Sequence, residues 1–110
     1  MSFSNVQFIL FKPQLAENIG ACARALKNFN FTKLKLVSPK ISLPNEKVFA
    51  TSVGAKNIIN SSKIYSNFED AIKDVNCVIA TSSRIRKKNY KYLSVDKLRT
   101  INFKKKIAII

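Results

Sequence analysis

The chain has 110 residues, 46% of them apolar, and its 20 Lys+Arg face 6 Asp+Glu for a formal net charge of +14. That length excludes more than one small domain and the apolar content excludes disorder, while the absence of histidine and the spacing of Cys22 and Cys77 exclude a zinc-type site. No apolar run reaches the length of a membrane span and the start MSFSNVQ has no export pattern, so the expectation is a cytoplasmic domain with reduced cysteines and a polyanionic partner.

Val6 to Phe11 is apolar at Val6, Phe8, Ile9, Leu10 and Phe11, which predicts a fully buried strand ended by Pro13. From Ile19 to Phe29 the apolar positions Ile19, Ala23, Leu26 and Phe29 recur at helical spacing. Asn18 stands where its N-cap is expected and Asn30 where a left-handed terminator is expected. Leu34 to Val37 predicts a second strand, closed by Ser38 and Pro39. Asn45 is placed to cap a short helix through Ala50, followed by a small-residue turn at Ser52, Val53, Gly54 and Ala55.

A brief strand is expected around Ile64 and Tyr65. Ser66 and Glu69 then have capping-box spacing before a helix from Asn67 to Val75. Cys77 to Thr81 predicts a buried strand, running into the polar loop Thr81, Ser82, Ser83, Arg84. A weak helix from Ser94 to Thr100 precedes the apolar run Ile107 to Ile110.

Strands apolar on both faces, alternating with helices, predict an α/β fold: a parallel sheet flanked by helices, with right-handed crossovers. In such sheets ligands gather beyond the carboxyl ends of the strands. Asn18, Ser38 and the Thr81–Arg84 loop all follow strand ends, so they define a candidate site along one edge. On spacing alone, Asn18 reads equally as a plain N-cap and Arg24 as a solvated helix arginine. Gly20, Ala21, Ala23 and Ala25 permit close approach to this helix by another backbone or a ligand. Further along, Arg84, Arg86, Lys87, Lys88 and Lys91, interleaved with Tyr90 and Tyr92, form a basic aromatic segment suited to phosphates and unpaired bases. A lysine-rich composition explains part of the charge; it explains the clustering less well.

The stretch from Phe8 to Pro39, FILFKPQLAENIGACARALKNFNFTKLKLVSP, resembles the first motif of the SpoU/TrmH-type RNA 2′-O-methyltransferases, most closely their TrmJ-like branch. The resemblance continues at Ser52–Ala55, SVGA, and at ATSSR, whose Thr81, Ser82 and Arg84 are similar to the GTSAR segment of that branch. It implies that Asn18 and Arg24 belong to an active site that binds or activates the target ribose. It also implies S-adenosylmethionine as methyl donor, tRNA or rRNA as substrate, and a homodimer in the complete enzyme. An arginine is a poor proton acceptor, so Arg24 suits a clamp on the neighbouring phosphate that also steadies a developing alkoxide. Thr81, Ser82, Arg84, Arg86, Lys87, Lys88 and Lys91 are the expected RNA contacts.

Members of this family continue past a strand like Ile107–Ile110 with two further motifs and a trefoil knot, which hold the cofactor. The expectation is therefore an N-terminal part, residues 1–110, of an incomplete SPOUT domain lacking its knotted part, with its cofactor residues beyond Ile110. Such a part is expected to be inactive alone. The alternative is a small basic α/β RNA-binding protein with no enzymatic role. A nucleotide-binding domain is disfavoured, because Glu17–Ala21 has one glycine and no phosphate-cradling pattern.

Overall fold

A computed structural model of the chain describes residues 5–43, 45–81 and 106–110. These residues form β1 (Val6–Phe11), α1 (Ala16–Asn28), β2 (Lys33–Val37), α2 (Glu46–Ser52), α3 (Lys56–Ser61), β3 (Lys63–Tyr65), α4 (Phe68–Ala71), β4 (Cys77–Ile79) and β5 (Ile107–Ile109). The five strands make one parallel sheet in the order β3-β2-β1-β5-β4. The expected α/β architecture with a parallel sheet is therefore present. The expected helix from Ser94 to Thr100 lies outside the described residues.

Alternation along β1 and β2 sorts side chains between two faces. Phe8, Leu10, Leu34 and Leu36 pack with α1, α2 and α3, around Ile19, Ala23, Leu26, Val48, Ile58 and Ile59. Ile9, Val37 and Ala108 pack on the other face with Ala71 and the partly buried Phe68, Ile72 and Val75. The first face is the thicker layer; the second is covered among the described residues by α4 and its flanking turns.

Helix α1 begins earlier than its sequence suggests. Its N-cap is Leu15, in extended backbone and without a side-chain cap bond, so Asn18 is the third helical residue rather than the cap. The reason is packing: buried Ala16 extends the stripe Ile19, Gly20, Ala23 and Leu26 by one turn. The other end is as expected. Asn30 is left-handed at φ 64°, and its N–H bonds Lys27 O at 3.1 Å while the Phe31 N–H bonds Leu26 O at 2.8 Å. That pair of bonds is a Schellman closure. Phe31 then turns inward against Phe8, ring centroids 4.8 Å apart.

Asn45 caps α2 as expected, accepting from Lys47 N at 2.9 Å and Val48 N at 3.4 Å, and the helix runs on to Ser52. α3 was not expected, because KNIINS has one apolar pair and no cap; burial of Ile58 and Ile59 holds it. α4 departs from expectation too. Its cap is Asn67, which accepts from Asp70 N at 2.9 Å, in place of Ser66, and it stops at Ala71. β4 also stops short of Thr81, at Ile79.

Two buried polar residues break the expectation of strands apolar on both faces. Lys35, in the middle of β2, is 6% exposed. Its ammonium donates to Ala71 O at 2.6 Å and Asp74 Oδ1 at 2.9 Å, and lies 5.4 Å from the Tyr65 ring centroid. It thus takes up a carbonyl that the end of α4 leaves open, where a cation is favoured. Gln7 of β1 donates to Asp74 Oδ2 at 3.2 Å, while its buried Oε1 has no hydrogen-bond partner.

Two predictions follow from this packing. A Cβ built on Gly20 would overlap the Thr51 hydroxyl and lie 2.7 Å from Val48 O. Gly20→Ala should therefore cost about 1–3 kcal/mol in urea unfolding, despite alanine's better helix propensity. The hydrogen bond from Lys35, first among its causes, holds the Asp74 carboxyl below its ordinary value. The unfolded chain then binds the proton more readily, so this contribution is full above the carboxylate range and lost as pH falls through the lowered value. Asp74→Asn should destabilise by about 1–2 kcal/mol at neutral pH, half-exposure having reduced the usual figure for a charged hydrogen bond. Unfolding midpoints of the two proteins should converge as the solution is acidified.

Candidate functional site

The carboxyl ends of the strands are sewn together by main-chain bonds. Lys12, left-handed at φ 52°, donates its N–H to Val37 O at 2.7 Å. Ser38, also left-handed at φ 46°, donates N–H to Tyr65 O at 2.8 Å, and its hydroxyl donates to Ser66 O at 2.7 Å. Lys40 N–H reaches back to Pro13 O at 2.9 Å. At the other side of the sheet, Thr81 donates both N–H and hydroxyl to Ile110 O, at 2.9 and 2.7 Å. The edge that carries the expected site is thus a rigid backbone framework.

Asn18 and Arg24 are both exposed on α1. Asn18 lies in the first turn, at the carboxyl edge of the sheet. Arg24 lies six positions later, which in an α-helix is about 9 Å along the axis and about a third of a turn around it. No hydrogen bond or ion pair joins either side chain to another described residue. Ala21 and Ala25, exposed beside them, keep the intervening surface low. The small residues have divided duties: Gly20 and Ala23 face inward, with Gly20 against α2, while Ala21 and Ala25 face outward.

Thr81 is exposed beside the end of β5, and its hydroxyl proton is engaged by Ile110 O. Ser82, Arg84, Arg86, Lys87, Lys88 and Lys91 lie outside the described residues. Ser38 is near the edge, yet its hydroxyl is committed to Ser66. The SVGA turn holds Val53 at φ 30° and Gly54 at φ 76°, and the Lys27 ammonium donates to Gly54 O. That turn packs beside the far end of α1.

The described residues do not by themselves fit a methyl donor such as S-adenosylmethionine. The hydroxyls of Ser38 and Thr81 are spent on carbonyls, and neither glycine of the chain stands at this edge. Among the described residues no cluster of His, Cys, Asp and Glu could hold a metal ion, and no helix is long and apolar enough to cross a membrane. Cys22 and Cys77 are free and partly buried, and burial pushes the Cys22 thiol up, away from nucleophilic use. What the described edge does present is the Asn18 carboxamide and the exposed Lys12 and Lys40 on a main-chain frame, with Arg24 standing further along the same helix.

Two residues stand otherwise than their sequence suggests. Lys35 looks like one more surface lysine in KLKLV, although its place in a buried strand was the available signal. Phe11 reads as the last core residue of β1 but is 49% exposed at the edge.

Comparison with known proteins gives concordant findings. Residues 5–110 match the SpoU rRNA Methylase family. A protein of Haemophilus influenzae, named an uncharacterized tRNA/rRNA methyltransferase, is 39% identical over 82 residues, covering 74% of this chain and 33% of that protein. The tRNA (cytidine-2′-O-)-methyltransferase TrmJ of Methanocaldococcus jannaschii is 38% identical over 77 residues, covering 70% of this chain and 33% of its own. A solved probable methylase family protein of Haemophilus influenzae superposes with a TM-score of 0.88 at 33% identity, covering 99% of this chain and 46% of that one. The chain thus spans about a third of the length of the curated relatives it matches.

Since Asn18 and Arg24 hold nothing in place among the described residues, Asn18→Ala and Arg24→Ala should each shift unfolding free energy by less than about 0.5 kcal/mol. Asn45→Ala, which removes a working cap, should cost about 1 kcal/mol in the same urea titration.

Proposed function

The chain belongs to the SpoU rRNA methylase family, and from that premise we propose that residues 1–110 form the amino-terminal part of an RNA 2′-O-methyltransferase domain. The observation that carries the proposal is the pairing of that family match with two exposed polar residues, Asn18 and Arg24, that do no structural work on α1. Asn18 stands where that helix starts, at the carboxyl edge of a parallel sheet, the edge at which such folds place their ligands.

In this reading the Arg24 guanidinium forks onto the phosphate beside the target ribose and steadies negative charge as it develops on the 2′-oxygen. Asn18 orients the sugar by hydrogen bonding. The basic segment from Arg84 to Lys91, with Thr81 and Ser82, holds the RNA backbone. The methyl donor, S-adenosylmethionine, is assigned to chain beyond residue 110, together with the knotted part of the domain. The relatives named for tRNA methylation support tRNA over rRNA as the proposed substrate. A homodimer working in the cytoplasm completes the proposal.

A second reading, a basic RNA-binding protein without catalysis, rests on the net charge of +14. The two diverge under mutation. In a chain extended with its downstream coding sequence, Arg24→Ala should lower methyl transfer to tRNA by about a hundredfold or more while tRNA affinity changes less than about threefold. Radiolabelled methyl incorporation and filter binding measure the two quantities. A uniform loss of affinity with each basic residue removed, and no methyl incorporation by the extended chain, would establish the binding protein instead.

A further inference from the structure

Phe11 is an anomaly on its own strand. It shares a face of the sheet with Ile9 and Val37, which are 2% and 0% exposed, yet Phe11 is 49% exposed. Its ring is nevertheless fixed. Phe68 packs against it edge to face, with centroids 6.0 Å apart and planes at 85°. The Lys12 ammonium stands 5.2 Å from the Phe11 ring centroid. Lys12 is itself held by its left-handed backbone and its bond to Val37 O, so the lysine and the ring are presented together.

Their place in the sheet is the second observation. Strand order runs β3-β2-β1 in one direction and resumes as β5-β4 on the other side, so the sequence order breaks between β1 and β5. In open parallel sheets the crevice beyond that break is the ligand position. Phe11 and Lys12 form the β1 side of it, and the four-residue loop that Lys12 begins leads into α1 and Asn18.

Resting on the RNA reading above, we propose that Phe11 and Lys12 form a seat for one unpaired nucleobase of the RNA substrate. The base stacks on the Phe11 ring and the Lys12 ammonium moves to the adjoining phosphate. An exposed cation–π contact is weak and gives way to a phosphate, whereas stacking needs only a rigid ring with an accessible face. Phe68 supplies the rigidity. The chain's net charge of +14 favours association with a polyanion, and Lys12 supplies a positive charge at the ring itself. Such a seat reads no sequence, because every base has a π-face; it selects for a nucleotide splayed out of a helix.

The chain contains no tryptophan, so Phe11→Trp places a single fluorophore at the seat. The probes are a single-stranded oligouridylate of eight nucleotides and an abasic oligonucleotide of the same length and charge. The oligouridylate should quench the fluorophore at position 11 and the abasic strand should not. Phe29→Trp, at the opposite end of α1 where Phe29 is 70% exposed, should respond to neither. Phe11→Leu, which keeps an apolar side chain and removes the ring, should weaken oligouridylate binding about five- to tenfold and leave abasic binding within twofold. Binding without quenching, or an equal loss on both strands with Phe11→Leu, would overturn the seat and leave the methyltransferase reading standing. Failure of the unmodified chain to bind either strand would overturn both the seat and RNA binding by this part of the protein.

Discussion

The close approach of α1 to α2 at Gly20 governs the layout of the thicker half of the molecule. With no side chain at that position, α1 sits against the Val48–Thr51 turn of α2 and buries Ala16, Ile19, Ala23 and Leu26. The angular setting of the helix is thereby fixed, and its polar row is turned outward. Asn18 and Arg24 are presented as a consequence of what Gly20 and its neighbours bury. The buried and the exposed rows of the helix are thus set by one contact, with Ala23 in the first and Ala21 and Ala25 in the second.

The thinner half is organised around a charge. Lys35 would be out of place in a buried strand, except that it satisfies Ala71 O and Asp74 together. It joins the central sheet to the crossover that carries the chain from β3 to β4. Gln7 extends the same group from β1, at the cost of one buried oxygen left without a partner. In a chain so rich in lysine, one lysine has been recruited inward and one of few acids kept beside it. The result is specific alignment of a short helix that could not hold itself by length alone.

Much of this architecture was legible in the amino-acid sequence, for identifiable reasons. β1, β2, α1 and the Asn45 cap announce themselves by apolar period and by cap chemistry, both local signals. Asn30 was legible because a left-handed terminator has few chemical solutions. The start of α1 was misplaced, since a capping asparagine is a weaker force than burial of Ala16. α3 was missed because its stability comes from Ile58 and Ile59 meeting α1 and β2, contacts that no local pattern records. The end of α4 was overrun for the same kind of reason: Lys35, far away in sequence, claims its last carbonyl. At the proposed site, Asn18 and Arg24 were singled out through resemblance, since spacing alone read equally as a cap and a solvated arginine. Phe11 was not found, because an apolar residue at a strand end gives no sign of whether anything covers it.

The position of β5 also dictates an order of events. It is the last described strand in the sequence, yet it lies inside the sheet, paired with β1 on one side and β4 on the other. During synthesis β1, β2 and β3, with α1 to α3, can assemble as soon as they emerge, since their pairings are between neighbours. β4 has no strand to join until Ile107–Ile109 has left the ribosome, and it is the pairing of β5 with β1 that closes a loop across the least local contacts of the fold. Until then an open edge of β1 waits beside solvent, in a chain whose high positive charge helps keep such intermediates apart.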